Sequence, residues 1–417
     1  MAGRMMSAGT YRVVVIGGGA AGFMAAIAAK THRPDAAVVL CERTDKWLAK
    51  VRISGGGRCN ATHDQGDPVK LSRNYPRGEQ FLRKVFKTWG QADTVGWFAK
   101  QGLQLKVEKD GRMFPVSDDS ASVIEVLWEA ATATGVELRE RCGVQAIRPN
   151  EGRWHLATTA DEVIADRVVV ATGGSPKIDG LAWLTELGHA IVPPVPSLFT
   201  FNLPDEPVRE LMGVVAPEAR VRIEGTGLES SGPLLITHWG FSGPAVLRLS
   251  AFGARVLHEK GYRYTVQVNW PGPKGASRIR ERLTQQVNEH PKRHMGNIEG
   301  VELPQRLWHY LLQRAGIPLV KPVGELGRKG MERLLDVLTN DRYTASGKTT
   351  FKEEFVTAGG VALEQVDPLT MESRVAPGLH FAGEVLDIDG ITGGFNFQAA
   401  WSTGWIAGRA AAGVTEG

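Results

Sequence analysis

The 417-residue sequence has only three cysteines, Cys41, Cys59 and Cys142. They are too few and too scattered for a disulfide framework, and no CxxC pair suggests a redox dithiol or a zinc site. A reducing, cytoplasmic compartment is expected. A large charge excess is also missing: 49 Lys and Arg against 45 Asp and Glu give a formal +4, which does not resemble a dedicated nucleic-acid binder. The histidines show no HExxH or similar spacing, so no metal site is expected. The opening segment, MAGRMMSAGTYR, lacks the apolar stretch and cleavage site of a signal peptide. The longest apolar run, Val13 to Ala29, is broken by Gly17, Gly18, Gly19 and Gly22 into strand, turn and helix, which argues against a membrane span. No fixed-period repeat is visible, which sets solenoids aside.

What is present is globular: 42% hydrophobic and 23% charged residues over a length sufficient for two domains. Tyr11–Ile16 reads as a β-branched strand, Phe23–Lys30 as an alanine-rich helix and Ala37–Glu42 as a second strand, a β-α-β unit. The turn Gly17-Gly-Gly-Ala20-Ala21-Gly22 fits GxGxxG. One glycine makes the tight turn, one admits a pyrophosphate and one lets helix pack on strand. Helix amides then face the phosphates. Glu42, followed by Arg43, ends the next strand, where a carboxylate can accept ribose hydroxyls. FAD and NAD both use this device. A later strand, Asp166–Ala171, ends in Thr172-Gly173-Gly174, where a parallel sheet turns toward a ligand. After Pro193-Pro-Val-Pro196 the pattern changes to short strands (Arg220–Ile223, Tyr262–Trp270) and then helices between Ser277 and Leu338. The expected division is a first part of one domain over 1–192, an inserted substrate or cap domain over 193–345 and a return segment over 346–417. The return carries Phe355–Val361, Gly378–Gly383 and a closing helix near Gln398 to Ala412.

Two further segments choose the cofactor. Ile53-Ser-Gly-Gly-Gly-Arg58-Cys59-Asn60 has the composition of backbone laid against a flat ring, with Arg58 facing phosphate or a flavin carbonyl. Near the other end, Gly383-Glu384-Val-Leu-Asp387-Ile-Asp389-Gly-Ile-Thr-Gly393-Gly394-Phe395-Asn396 sets a glycine pair before the last helix, whose free amides suit a reduced flavin. These segments, with Thr237-His-Trp-Gly-Phe-Ser-Gly-Pro244 and Thr357-Ala-Gly-Gly-Val361, resemble the BaiN/RdsA family of bacterial NAD(P)/FAD-dependent oxidoreductases from about Val13 to Ala412. The resemblance implies a discontinuous α/β, Rossmann-like FAD-binding domain with an inserted domain of strands and helices, and reduction of activated carbon–carbon double bonds. By the same resemblance Gly17, Gly19, Gly22 and Glu42 hold the adenosine half, Arg58, Cys59 and Asn60 lie near the ring, and Gly383, Glu384, Asp387, Gly393, Gly394, Phe395 and Asn396 close the site with Gly359. It also implies NADH or NADPH as reductant and, as an alternative substrate, uridine in ribosomal RNA; with no second strand-GxGxxG-helix unit evident, the nicotinamide docks transiently on the flavin face or is replaced by another donor. The departure is Gly173–Gly180, which runs straight into a helix where the family has a long loop with TGDG, so substrate range is open.

Reducing a double bond needs a proton for the second carbon. Cys59, in the flavin loop, is either that donor or a small buried residue packed on the ring. His238 is either a donor or a support for its own turn. Asp387 and Asp389, ionised at neutral pH, are assigned to binding. Cys41 and Cys142 are structural. Basic residues Lys70, Arg73, Arg77, Arg83, Lys84 and Lys87, interleaved with Phe81, Leu82, Val85, Phe86 and Trp89, read as one amphipathic helix, and Arg278, Arg280, Arg282, Lys292 and Arg293 form a second basic region. Both permit RNA contacts without demanding them. A flavin-bearing regulator without turnover is the competing class.

Overall fold

A computed structural model describes residues 10–349 and 356–414. They fall into two compact units, one of 10–197 with 356–414, the other of 198–349. The Phe355 end of the expected return strand lies outside the described residues.

The first unit is organised by a parallel sheet of five strands, in the order Leu379–Phe381, Arg167–Val170, Arg12–Ile16, Ala37–Cys41, Glu137–Arg139. The run Val13-Val-Val-Ile16 pairs on both sides, with Val14 opposite Val39 and Val168, and is buried throughout. That burial on two faces is why it shows no polar alternation. The strand ends where expected, and the chain turns through Gly17–Gly19 into a helix over Ala20–His32.

That helix is buried from Ala21 to Ala29 because a second helix, Phe395–Ala411, lies against it. The two backbones nearly touch: a Cβ on Gly404 would stand 2.5 Å from Ala21 O, and one on Gly408 would stand 2.0 Å from Ala25 O. Small residues four apart on both helices make the approach possible. The beginning and end of the chain thereby form one layer over the sheet. The closing helix starts at Phe395, directly after the glycine pair as expected and ahead of Gln398, and Gly394 sits at φ 89°.

The expected amphipathic helix is two helices, Pro68–Ser72 and Glu79–Thr88, because Pro76 and Gly78 (φ 83°) break it. An antiparallel three-stranded sheet over Val144–Ala165 was not apparent from sequence. Ile191–Ser197 and Val356–Val361, one strand on each side of the second unit in sequence, pair antiparallel in the first unit.

The second unit is a seven-stranded sheet, antiparallel in its described pairings, in which Val215–Ile223 pairs with Glu229–Ile236 and Arg263–Asn269. Its core joins Phe199, Phe201, Phe241 and Trp270 to Leu283, Trp308 and Leu334 from the helices Gly275–Glu289, Gln305–Arg314 and Gly327–Asn340. Among the described residues, no helix is long and apolar enough to cross a membrane and no cluster suits a metal ion.

Candidate cofactor and active site

The glycines of the first turn divide by what they face. Gly17 is at φ 109°, and a Cβ there would meet Ala171 O at 2.4 Å; one on Gly22 would meet Gly17 O at 1.9 Å. These two are glycine because strand, turn and helix pack against them. Gly19, the residue preceding the helix, has nothing within 4 Å on its Cβ side and no side-chain cap. The first-turn amides of Ala20, Ala21 and Gly22 therefore open beside free space, as an anion site requires. Glu42 accepts from Gly18 N at 2.9 Å on one oxygen and from Thr44 N and Oγ1, both at 2.9 Å, on the other. This fixes its carboxylate while leaving lone-pair capacity for a ribose hydroxyl. Arg43 is exposed and its stem packs by Gly143.

Gly55, Gly56 and Gly57 take φ of 59°, 69° and 86°, and Cys59 follows at 60°, so the loop is wound through left-handed backbone. Only glycine adopts this freely. Gly56 and Gly57 face open space, as does Gly173, whereas a Cβ on Gly174 would crowd Thr357 Oγ1 and Glu384 Oε1. Thr172 is exposed.

Arg58 and Asn60, which the family resemblance sets near the ring, each have a protein partner. The Arg58 guanidinium lies over the Phe114 ring at 3.9 Å and pairs with Glu108 at 2.7 Å and Asp118 at 3.3 Å. Asn60 spans two segments, donating to Thr62 O at 3.1 Å and accepting from Gly394 N at 3.0 Å. Glu384 pairs with Lys50 at 2.6 Å and accepts from Thr357 N at 2.8 Å. Asp389, fully buried, is clamped by Arg77 and accepts from Ser197 Oγ at 2.7 Å. Burial still holds its carboxyl above the usual range, against the pull of Arg77. Asp387 N bonds Val361 O at 3.0 Å.

The remaining glycines serve packing on their Cβ side. A Cβ on Gly359 would strike Pro193 O at 2.6 Å, one on Gly383 the Ala21 methyl at 2.9 Å, one on Gly393 the Phe395 ring at 2.9 Å and one on Gly394 Thr62 O at 2.5 Å. Asn396 grips the Gly390 peptide, accepting from its N at 2.8 Å and donating to its O at 3.0 Å. Phe395 is buried, and its carbonyl accepts from Tyr75 OH at 2.6 Å.

Of the two catalytic candidates, Cys59 is 0% exposed and burial pushes its thiol up to about 12. It stays protonated at neutral pH but is enclosed. His238 lies in the second unit, exposed on the hairpin closed by Thr237 N to Gly240 O at 2.7 Å, its ring 3.8 Å from that of Trp239.

Several residues that build the site escaped the sequence reading. Gln398, fully buried, accepts from Thr62 Oγ1 at 2.6 Å and donates to Thr94 and Ser402, tying three segments together. His63 meets Gly393 O at 3.1 Å. Thr357, the first residue of Thr357-Ala-Gly-Gly-Val361, carries a hydroxyl that is buried without a partner.

These features fit FAD. Two helices headed by glycine and lacking side-chain caps, four glycines turned to open space and an orphaned hydroxyl at Thr357 leave room for backbone-lined contact with a large polar cofactor.

Comparison with known proteins agrees. The family model described as HI0933-like protein Rossmann domain matches residues 11–410. A 3-dehydro-bile acid delta(4,6)-reductase of Clostridium scindens is 32% identical over 96% of this chain and 99% of its own. A ribosomal RNA dihydrouridine synthase of Escherichia coli is 31% identical over 96% of this chain and 97% of its own. In fold, the chain is similar to the 3-ketosteroid delta1-dehydrogenase of Sterolibacterium denitrificans, with TM-score 0.50 at 14% identity, covering 97% of this chain and 100% of that one. The chain belongs to the HI0933-like family, the BaiN/RdsA group that its motifs resemble, and is an FAD-dependent oxidoreductase of Rossmann type.

Proposed function

We propose that this protein reduces an activated carbon–carbon double bond, hydride going to one carbon and a proton to the other. The observation that supports this substrate class is the end-to-end likeness to the bile-acid reductase of Clostridium scindens. Bound FAD supplies the hydride chemistry. The amides that follow Gly19 neutralise pyrophosphate charge, and Glu42 takes a ribose hydroxyl. Gly56, Gly57 and Gly173 give the cofactor a backbone surface, Thr357 Oγ1 offers it a hydroxyl, and the start of the closing helix stabilises negative charge on the flavin edge. Gly383, Glu384, Asp387 and Asn396 close the cofactor site. No second strand-GxGxxG-helix unit is apparent in the sequence, so the reductant, NADH or NADPH or another donor in their place, docks transiently on the flavin face. The three free, buried thiols suit a reducing compartment, and we place the protein in the cytoplasm.

Ribosomal RNA is the second reading, favoured by the likeness to the dihydrouridine synthase of Escherichia coli. The basic region around Arg278 supports it less than its composition suggests. Arg278 pairs with Glu218 and Glu302, and Arg280 with Glu332, which spends that charge locally. Anaerobic reduction by NADH and NADPH, followed by reoxidation with enones and with unmodified ribosomal RNA, separates the readings. Reoxidation by a conjugated enone but not by RNA is the expected result. Reoxidation by RNA alone installs the second reading, and a flavin inert to every donor and acceptor returns the protein to the regulatory class.

We assign Cys59 to loop packing, on its enclosure. Cys59→Ser is expected to keep FAD and to change both half-reactions by less than about tenfold. Stopped-flow measurement of each decides, since slowing of reoxidation alone by about two to four orders of magnitude is the mark of a proton donor. His238→Ala, measured alongside, tests the exposed candidate.

A further inference from the structure

The peptide joining Gly393 to Gly394 is held at both ends by one short segment. Its carbonyl oxygen lies 3.1 Å from His63 Nδ1, and its N–H donates to Asn60 at 3.0 Å. The carbonyl can only accept, so Nδ1 carries the proton and His63 donates. The imidazole is fixed on its other sides too. It stacks on Phe395 with ring centroids 4.6 Å apart at 28°, and Gly111 leaves it room, since a Cβ there would stand 2.6 Å from Nε2. This is more restraint than a turn before a helix needs, because Gly394 at φ 89° already ends the loop and Asn396 already anchors Gly390.

We propose that His63 is a positioning residue for the flavin: by holding the Gly393 carbonyl back, it sets the tilt of the peptide that leads into the closing helix and so aims the amides of the first turn. The donor is a ring nitrogen on a strand of only two residues, Thr62–His63, which is itself paired with Arg112–Pro115 and hence rigid. Amides aimed this way interact more strongly with a reduced, negatively charged flavin than with the oxidised ring, so their orientation sets the reduction potential. The inference rests on the FAD reading above and on the placement of the flavin edge at this helix.

The test uses the full chain loaded with FAD, read by oxidised-FAD affinity, two-electron midpoint potential and substrate KM. His63→Leu removes the donor at similar size. His63→Asn keeps a donor near the Nδ1 position. The expected result for His63→Leu is about a tenfold loss of reduced-FAD affinity relative to oxidised FAD, a fall of about 30 mV, with KM unchanged. In His63→Asn the potential returns to within about 10 mV of wild type, a change of about twofold. Equal potentials in wild type and His63→Leu, or equal shifts in the Leu and Asn variants, overturn the inference while leaving the cofactor reading intact. Wild-type protein that takes up no FAD overturns both. If His63→Leu does not fold, His63→Gln, whose amide extends toward the Nε2 side and Gly111, carries the same expectation of a lowered potential and the same overturning result.

Discussion

In a Gly19→Val variant the protein keeps its fold and loses its cofactor. Gly19 has φ −92° and ψ −171°, extended backbone that a β-branched residue adopts without strain, and its Cβ side is empty to 4 Å. The only intrinsic cost is a poorer residue at the helix cap, about 1 kcal/mol or less, so the melting temperature of the apoprotein moves by about 2 °C at most. The space that valine fills is the space above the first-turn amides. A pyrophosphate displaced from there gives up its charge-assisted bonds to the helix start. FAD affinity is expected to fall by at least a hundredfold, about 2.7 kcal/mol. Titration of deflavinated protein with FAD, beside calorimetry of the apoprotein, reads the two effects separately. Flavin retained at wild-type stoichiometry would place the pyrophosphate elsewhere, and a large drop in apoprotein stability would show that Gly19 is glycine for packing, as Gly17 and Gly22 are.

That contrast marks how far sequence reaches. The first β-α-β unit was legible because a buried parallel strand, a glycine turn and an alanine-rich helix each follow from a local rule, and Val13–Ile16 and Ala20–His32 obey all of them. What a hexamer cannot disclose is which glycine faces ligand and which faces protein. Gly17 answers to Ala171, a strand away and far along the chain. Polar side chains carry partners that a local pattern does not disclose either. Arg58 and Asn60 sit in a loop whose composition suits a flat ring, yet Glu108, Asp118 and Gly394 reach them first. His63 stands in the polar run from Asn60 to Asp67, where nothing marks it out, and Gln398 and Thr357 are polar residues in apolar or glycine-rich surroundings, a pattern with no local signature. They became conspicuous only once burial was known, since a buried amide or hydroxyl needs a partner. Pro76 and Gly78 were visible and do divide the basic stretch. The helical spacing of the apolar residues runs across both, although a proline after a short helical run is itself a stop signal.

Gly408→Ala is expected to destabilise the protein, against the sign that helix propensity alone gives. In an exposed helix interior, alanine gains about 1 kcal/mol over glycine. Gly408 is in the interior of the closing helix, but a Cβ there would stand 2.0 Å from Ala25 O and 2.8 Å from Ala25 C, both backbone atoms that cannot rotate away. The two helices must separate, and parting them loosens the layer that Ala21, Ala25, Gly404 and Gly408 close between the first and last segments of the chain. Overpacking of this kind costs about 1–3 kcal/mol, more where backbone is struck, so the net change is a loss of about 1–3 kcal/mol. Gly408→Val is expected to exceed about 4 kcal/mol and to yield little folded protein. Gly96 supplies the control: it lies exposed in the helix Gln91–Lys100 with nothing within 4 Å, and Gly96→Ala is expected to stabilise by about 0.5–1 kcal/mol. Urea melts of the FAD-free variants decide the matter. Opposite signs at the two glycines would establish that the closing helix touches the first along its backbone, whereas a gain in stability at both would mean that the helices stand further apart and that the shared layer is held by side chains.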